Sequence, residues 1–200
     1  MDRLILVRHA ETAVSAAGLM HPDSRLETAL SPAGERAARA LGAALAGEPI
    51  ALAVCSPRLR ARRTAELAVE GRGVPVAARP GLAEVGVGGF EGRPVEAYQR
   101  WVRRHPLDAA PPGGESLLAA AGRYVEGFRG LLAEPASVVL AVAHNLPVRM
   151  VVNVAAGADP LAGPLQRVAF DLRSELPAAG LARAVDALAA WCEAAARARA

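Results

Sequence analysis

Short apolar runs alternate with helical repeats along most of the chain, a pattern typical of an α/β fold with a mostly parallel sheet. The runs at 4–7, 52–55 and 138–142 are continuously apolar, as expected of strands buried on both faces. A shorter strand is predicted at 74–77 and an edge strand at 168–172. The pattern therefore predicts a sheet whose strands are joined by crossover helices.

The stretches between these runs carry apolar residues at helical spacing. Ser31-Pro32 supplies an N-cap followed by proline at the first helical position, so a helix is predicted from there through about Leu45. Further helices are predicted over 57–69, 116–132, 147–155 and 181–199, and near 94–104 within a lid or loop segment at 86–114 that is rich in Gly, Pro and Arg. We find no internal repeat and no linker, and predict a single domain over residues 1–200.

The C-terminal helix has an apolar face that contains Leu181, Val185 and Leu188. This face either packs on the sheet or forms a contact in a homodimer, and packing is the default interpretation. Arg100, Arg103 and Arg104 share one face of the helix near 94–104. They either form a charged lid over a substrate or form a solvated face, and we favour the solvated face.

Composition narrows the class of protein. The 200 residues are 52% hydrophobic and 22% charged, which is a globular balance. A net charge of +3, without aromatic residues among the arginines, argues against a nucleic-acid partner. No apolar run reaches the roughly 18 residues of a membrane span, and two isolated cysteines suit a reducing compartment. We predict a cytoplasmic protein with no membrane partner.

Chemically reactive side chains follow the predicted strands. Ligands of open α/β sheets bind outside the carboxyl ends of the strands. The residues at such ends are Arg8 and His9 after the first strand, Ser56 and Arg60 after the second, Glu84 after the third, and His144 after the run at 138–142. The topology therefore predicts two histidines, two arginines and one carboxylate at one edge of the sheet.

This set of side chains suits a phosphate ester. A guanidinium offers a planar fork of donors to phosphate oxygens, and a neutral imidazole can attack phosphorus when its other nitrogen is held as a donor. A protonated second histidine can share the charge of the transferred group, and a carboxylic acid can protonate the departing oxygen. No metal-binding motif is present, so neither a metal nor another cofactor is predicted.

Five segments together resemble the histidine phosphatase superfamily, whose fold is called phosphoglycerate mutase-like. They are LVRHAET at 6–12, SPRLRARRTAEL at 56–67, AEVGVGGFEGRP at 83–94, PGGES at 112–116 and VAHNLPVR at 142–149. Any one segment is a weak signal, whereas five in the family's order and spacing are a strong one. The similarity extends from residue 3 to about residue 172.

The resemblance implies a three-layer α/β/α sandwich and a role for each matched residue. His9 would be the phosphorylated nucleophile, and Glu84 the proton donor. Arg8 and Arg60 would bind phosphate, and His144 would be the second histidine of the site. Ser15 stands where many members have a phosphate-binding asparagine, so it is expected to bind phosphate as a shorter hydrogen bonder.

The family contains both phosphatases and mutases. Glu84 and His144 are only 60 residues apart, which resembles the compact phosphatases. We therefore expect a metal-independent phosphomonoesterase acting on a small phosphorylated metabolite, such as a sugar phosphate, a phosphoglycerate derivative or α-ribazole phosphate. The alternatives are a phosphoglycerate mutase, a phosphohistidine-protein phosphatase and, from another class, a non-catalytic phospholigand-binding module.

Overall fold

The computed structural model describes residues 1–21, 28–163, 169–170 and 173–198. Its five-stranded sheet has the order β3-β2-β4-β1-β5. The strands are β1 (Arg3–Arg8), β2 (Ile50–Cys55), β3 (Val76–Ala78), β4 (Val138–Ala143) and β5 (Arg173–Pro177). The first four are parallel and β5 runs antiparallel beside β1. The mostly parallel sheet is thus confirmed.

Helices connect and cover the strands. They are α1 (Ala13–Ala16), α2 (Pro32–Ala44), α3 (Leu59–Ala68), α4 (Val95–Arg104), α5 (Leu117–Leu132), α6 (Asn145–Ala155) and α7 (Ala178–Arg197). Short 3₁₀ turns span Pro80–Leu82 and Gly88–Phe90. The predicted N-cap of α2 is confirmed, since Ser31 Oγ accepts a hydrogen bond from Gly34 N at 3.0 Å. The sequence pattern therefore marks the helices well.

Strand side chains alternate between two apolar layers. On β1, Ile5 and Val7 pack in the cluster that contains residues of α3, while Leu4 and Leu6 pack in the cluster that contains residues of α5, α6 and α7. A sheet buried on both faces needs a continuous apolar strand, which explains the run at 4–7. The three-layer α/β/α arrangement is therefore confirmed, and the apolar face of α7 packs inside the molecule.

Element boundaries differ from the sequence predictions by a few residues. Helix α6 begins at Asn145, two residues before Pro147. Proline is tolerated there because the backbone N–H groups of the first turn have no hydrogen-bond partner within the helix. The edge strand predicted at 168–172 lies mostly outside the described residues, and β5 follows it at Arg173–Pro177. Within the described ranges, no helix is both long and apolar enough to span a bilayer.

The strand order determines where the predicted site residues lie. Because β2, β4 and β1 are adjacent and parallel, their carboxyl ends lie side by side at one edge of the sheet. The segments leaving these three strands carry Ser56, His144 and the Arg8-His9 pair. The fold therefore brings these residues together.

Candidate active site

His9 and His144 lie side by side at the carboxyl edge of the sheet, with their rings in an edge-on contact. Their ring centroids are 5.1 Å apart, and both side chains are almost fully buried, with 2% and 0% exposed. His9 N donates to Ala143 O at 2.9 Å, so the β1–β4 pairing continues as far as the first histidine. The His9 backbone is thus held by the pairing of the two strands that lead to these histidines.

The bonding of His9 leaves one ring nitrogen available for chemistry. Its Nδ1 lies 2.8 Å from Ala10 O, and a carbonyl oxygen can only accept, so Nδ1 carries the proton. Ala10 N donates in turn to Thr64 Oγ1 at 3.0 Å, which fixes the backbone beside the ring. Burial, together with the charges of Arg60 and Arg8, lowers the pKa of His9 well below its usual range. His9 is therefore a neutral imidazole with its lone pair on Nε2.

His144 is oriented by two partners. Arg60 Nη2 lies 3.3 Å from Nδ1, and Ser56 Oγ lies 2.7 Å from Nε2. Because a guanidinium only donates, Nδ1 accepts and the Nε2 proton is donated to Ser56. Burial, and then the charge of Arg60, lowers the pKa of His144 as well. A bound phosphoryl dianion would oppose these effects and favour the protonated form of His144.

Two buried guanidiniums face the histidines. Arg8 is 5% exposed and Arg60 is 2% exposed. The Arg8 Cζ atom lies 4.4 Å from the centroid of the Phe170 ring, in a cation–π contact. Arg60 sits in the first turn of α3, whereas Arg62 on the same helix is exposed and pairs with Glu66 at 2.9 Å. Arg60 therefore lies beside His144, and its role in phosphate binding stays a prediction.

Glu84 lies half-buried in the loop that follows the Pro80–Leu82 turn. Its Oε1 accepts from Val85 N at 3.1 Å. Arg123 on α5 holds the loop, donating to Ala83 O at 2.9 Å and to Glu84 O at 3.2 Å. The position of the carboxylate thus depends on an arginine from a distant part of the sequence.

The PGGES segment completes this support. Glu115 pairs with Arg123 at 2.6 Å. Its backbone N donates to Gly86 O at 2.7 Å, while its Oε2 accepts from Gly86 N at 3.3 Å. The acidic loop is therefore fixed on both sides of Glu84.

Two glycines allow the acidic loop to approach α5 closely. A methyl group built on Gly81 would lie 2.5 Å from Gly127 Cα, closer than real Cβ atoms approach. The main chain of the Pro80–Leu82 turn therefore rests directly on the main chain of α5.

Ser15 and His21 belong to a small network around Thr12. The Ser15 hydroxyl accepts from Thr12 N and donates to Thr12 O, both at 2.9 Å, in the capping box of α1. His21 Nε2 lies 2.8 Å from Thr12 Oγ1, and its ring centroid is 5.3 Å from that of His9. Phosphate binding by Ser15 stays a prediction, and His21 is a further residue at the site.

One cavity of about 110 Å³ collects the predicted residues. Arg8, His9, Ser15, Arg60, Glu84 and His144 all line it, and so does His21. The arrangement offers a nucleophile, positive charge and a carboxylate to one bound group. Thr64 and Arg123 could not be predicted from local sequence, since each acts through contacts distant in the chain.

Comparison with known proteins points to one family. A model of the histidine phosphatase superfamily (branch 1) matches residues 4–170. An adenosylcobalamin/alpha-ribazole phosphatase of Salmonella typhimurium is 37% identical over 134 residues, which cover 63% of this chain and 64% of that protein. A bifunctional protein of Mycobacterium tuberculosis is 31% identical, over 86% of this chain and 48% of that protein. The chain thus spans less than two thirds of either relative.

A solved structure extends the comparison to the fold. The crystal structure of an alpha-ribazole phosphatase from Shigella flexneri superimposes with a TM-score of 0.73 and 28% sequence identity. The superposition covers 87% of this chain and 89% of that one.

Proposed function

The chain belongs to the histidine phosphatase superfamily, and from that membership we propose that it hydrolyses a small phosphate monoester through a phosphohistidine at His9, without a metal ion. The observation that carries the proposal is the hydrogen bond from His9 Nδ1 to Ala10 O. That bond, with the lowered pKa of His9, presents a neutral Nε2 as nucleophile.

The first step is in-line attack of His9 Nε2 on phosphorus. The N–P bond forms as the bond to the ester oxygen breaks, and Glu84 gives its proton to the departing alkoxide. Arg8, Arg60 and a protonated His144 face the charge of the transferred group. Such positioning and electrostatic stabilisation account for most of phosphoryl-transfer catalysis.

The second step releases phosphate. A water molecule attacks the phosphohistidine from the side that the alcohol has left, and the Glu84 carboxylate accepts its proton. The N–P bond breaks, which restores neutral His9 and protonated Glu84. Arginine and histidine supply the positive charge that Mg²⁺ provides in other phosphoryl-transfer enzymes.

The test measures release of inorganic phosphate from a panel of monoesters in excess EDTA. Wild type should release phosphate, and His9→Ala should release none, whereas His105→Ala at an exposed site should match wild type. Rapid quenching followed by mass spectrometry should find one acid-labile phosphoryl group on the peptide that contains His9.

The other outcomes separate the alternatives. Transfer of the phosphoryl group between hydroxyls, without net release, would identify a mutase. Phosphate release only from phosphohistidine in proteins would identify a protein phosphatase. Binding of esters without turnover would identify a binding module, and equal release by wild type and His9→Ala would overturn the assignment of the nucleophile.

A further inference from the structure

The cavity combines the polar and charged residues of the histidine end with a set of apolar side chains. Its remaining wall is mainly aliphatic, formed by Leu19, Met20, Val95, Val102, Leu117 and Leu146. We call this part the leaving-group chamber, since it belongs to the same cavity as the two histidines, and an ester whose phosphorus is attacked by His9 would place its organic group there. The phosphoryl group and the organic group thus meet very different surfaces.

Helix α4 builds one side of the chamber with a single face. Val95, Tyr98, Gln99 and Val102 follow the i, i+3, i+4, i+7 spacing, and all four line the cavity. Arg103 on the same helix is exposed, as are Arg100 and Arg104. The arginines of α4 therefore add no charge to the chamber, and the solvated reading of that face agrees with the structure.

The opposite side of the chamber is held in place by buried polar contacts. Arg149, which is 6% exposed, donates through Nη2 to Leu161 O and to Ala162 O. Asn153 Nδ2 donates to Ala162 O at 3.1 Å. These bonds fix the turn after α6, so Leu161 lines the cavity in a defined position.

Among the described residues, the polar side chains at this part of the cavity are Tyr98, Gln99, Asn145 and Arg149, and of these four only Arg149 is charged. The Tyr98 hydroxyl is buried, and within the described residues it has no hydrogen-bond partner. Gln99 is the other neutral polar side chain of α4 at the cavity. A leaving group with many hydroxyls would lose its bonds to water here and find few replacements, which is unfavourable.

We propose that the chamber selects phosphate monoesters of predominantly apolar alcohols over those of sugars and other polyols. The inference rests on the proposed function and names its substrate class. Each methylene that leaves water for the chamber favours binding, and the effect is additive until the chamber is filled. All monoesters present the same phosphoryl group to the histidine end, so differences among them arise from the organic group in the chamber.

The test is a chain-length series. Phosphate release is followed from methyl, ethyl, propyl, butyl and hexyl phosphate, and from glycerol phosphate and glucose 6-phosphate. The value of kcat/KM should rise about fourfold per methylene over the first members, and both polyol esters should fall below propyl phosphate. A flat series, or polyol esters that equal butyl phosphate, would overturn the proposal.

Variants locate the effect within the chamber. Val102→Thr keeps the shape but adds a hydroxyl, so it should reduce kcat/KM for hexyl phosphate more than for methyl phosphate. Arg103→Gln, on the exposed side of α4, should leave the whole series unchanged. Equal reduction of both esters in Val102→Thr would contradict a role in selectivity, and thermal melting verifies that each variant is folded.

A binding experiment separates failure of the chamber from failure of the proposed function. Alkylphosphonates of the same lengths cannot be hydrolysed, and calorimetry gives their affinity directly. Affinity that rises with length while no ester is hydrolysed would refute the phosphatase and retain the chamber. Affinity that is independent of length would refute the chamber, whatever the phosphatase does.

Discussion

The two ends of the cavity are built on different principles. At the histidine end, each ring is fixed by hydrogen bonds, as in the contacts of His9 with Ala10 and of His144 with Ser56. In the leaving-group chamber, Val95 and Val102 contribute only apolar surface from one face of α4. Polar groups buried in a low dielectric need partners of defined geometry, whereas apolar contacts are non-directional.

The difference teaches where each property resides in the chain. The proposed chemistry depends on the segments that leave β1, β2 and β4, which the sheet holds in register. In our proposal, selectivity depends on apolar side chains such as Val95 and Val102, which can be changed without breaking a side-chain hydrogen bond. Substitutions at the histidine end should therefore abolish turnover, and substitutions in the chamber should redistribute it among substrates.

The sharpest test of this contrast compares two arginines on α3. Arg60→Met should lower kcat/KM for every ester by about 10³-fold, because it removes a charge facing the transferred phosphoryl group and a partner of His144. Arg62→Met, at an exposed position, should stay within twofold of wild type. Steady-state kinetics on methyl and hexyl phosphate provides the measurement. A loss confined to hexyl phosphate would place Arg60 in the chamber instead.

The next largest effect concerns the acid. Glu84→Gln should reduce turnover of alkyl phosphates by about 10²-fold or more, because an alkoxide must be protonated as it leaves. Nitrophenyl phosphate has a good leaving group and should lose much less. Comparing kcat for the two ester types checks this, and equal losses would count against Glu84 as the proton donor.

The buried histidines predict a pH dependence of stability. Folding lowers the pKa of both His9 and His144, so the unfolded chain binds more protons below about pH 6.5 and acid destabilises the fold. The free energy of unfolding should be flat above that pH and fall below it, by about 1.4 kcal/mol per pH unit for each histidine.

Urea denaturation at several pH values measures this dependence. Below about pH 6.5 the free energy of unfolding of His144→Gln should fall less steeply than that of wild type, by about the contribution of one histidine. His105→Gln, at an exposed site, should keep the slope of wild type. A slope below about pH 6.5 that is the same in His144→Gln and in wild type would show that other groups cause the pH dependence.

A smaller effect is expected at the loop that carries the acid. Arg123→Met should reduce turnover of alkyl phosphates by about tenfold, because Ala83 and Glu84 lose the donor to their carbonyls. The ratio of alkyl to nitrophenyl turnover should shift in the same direction as in Glu84→Gln. Arg129→Met, on the exposed side of α5, is the matched control. An unchanged ratio would limit Arg123 to a structural role.

The smallest effect is expected at Ser15. Its hydroxyl is already bonded to the Thr12 backbone in the capping box, so Ser15→Ala should raise KM by at most about fivefold, the equivalent of one neutral hydrogen bond. Ser15→Asn supplies the residue common in the family and should lower KM if the position binds phosphate. Inhibition by orthophosphate, measured for both variants, shows whether Ser15 binds phosphate or serves only in the capping box.

Much of this arrangement could be predicted from sequence because its signals are local. Continuous apolar runs marked β1 and β4, and each was followed directly by a histidine. Strand β5 could not be located in this way. Its sequence RSELP is mostly polar, and the strand exists because it pairs with β1, where Glu175 lies opposite Ile5.

Residues that act through distant contacts escaped prediction for a related reason. Thr64 resembles any helix threonine until its hydroxyl is seen to accept from Ala10 N. His21 precedes a proline, and nothing in that local sequence indicates that its ring meets that of His9 edge-on. Neither contact has a local pattern, because each joins segments that only the finished fold brings together.

The contact between Gly81 and Gly127 has a consequence for the tolerances of the site. Side-chain packing can relax by rotamer changes, but two main chains in direct contact cannot approach further, and any added methyl would push them apart. In the proposed mechanism, the position of the Glu84 carboxylate relative to the ester oxygen therefore depends on two residues that have no side chain. An alanine at either position would push the acidic loop away from α5 and so displace the Glu84 carboxylate from the phosphoryl site. Every residue proposed to act in catalysis would still be present.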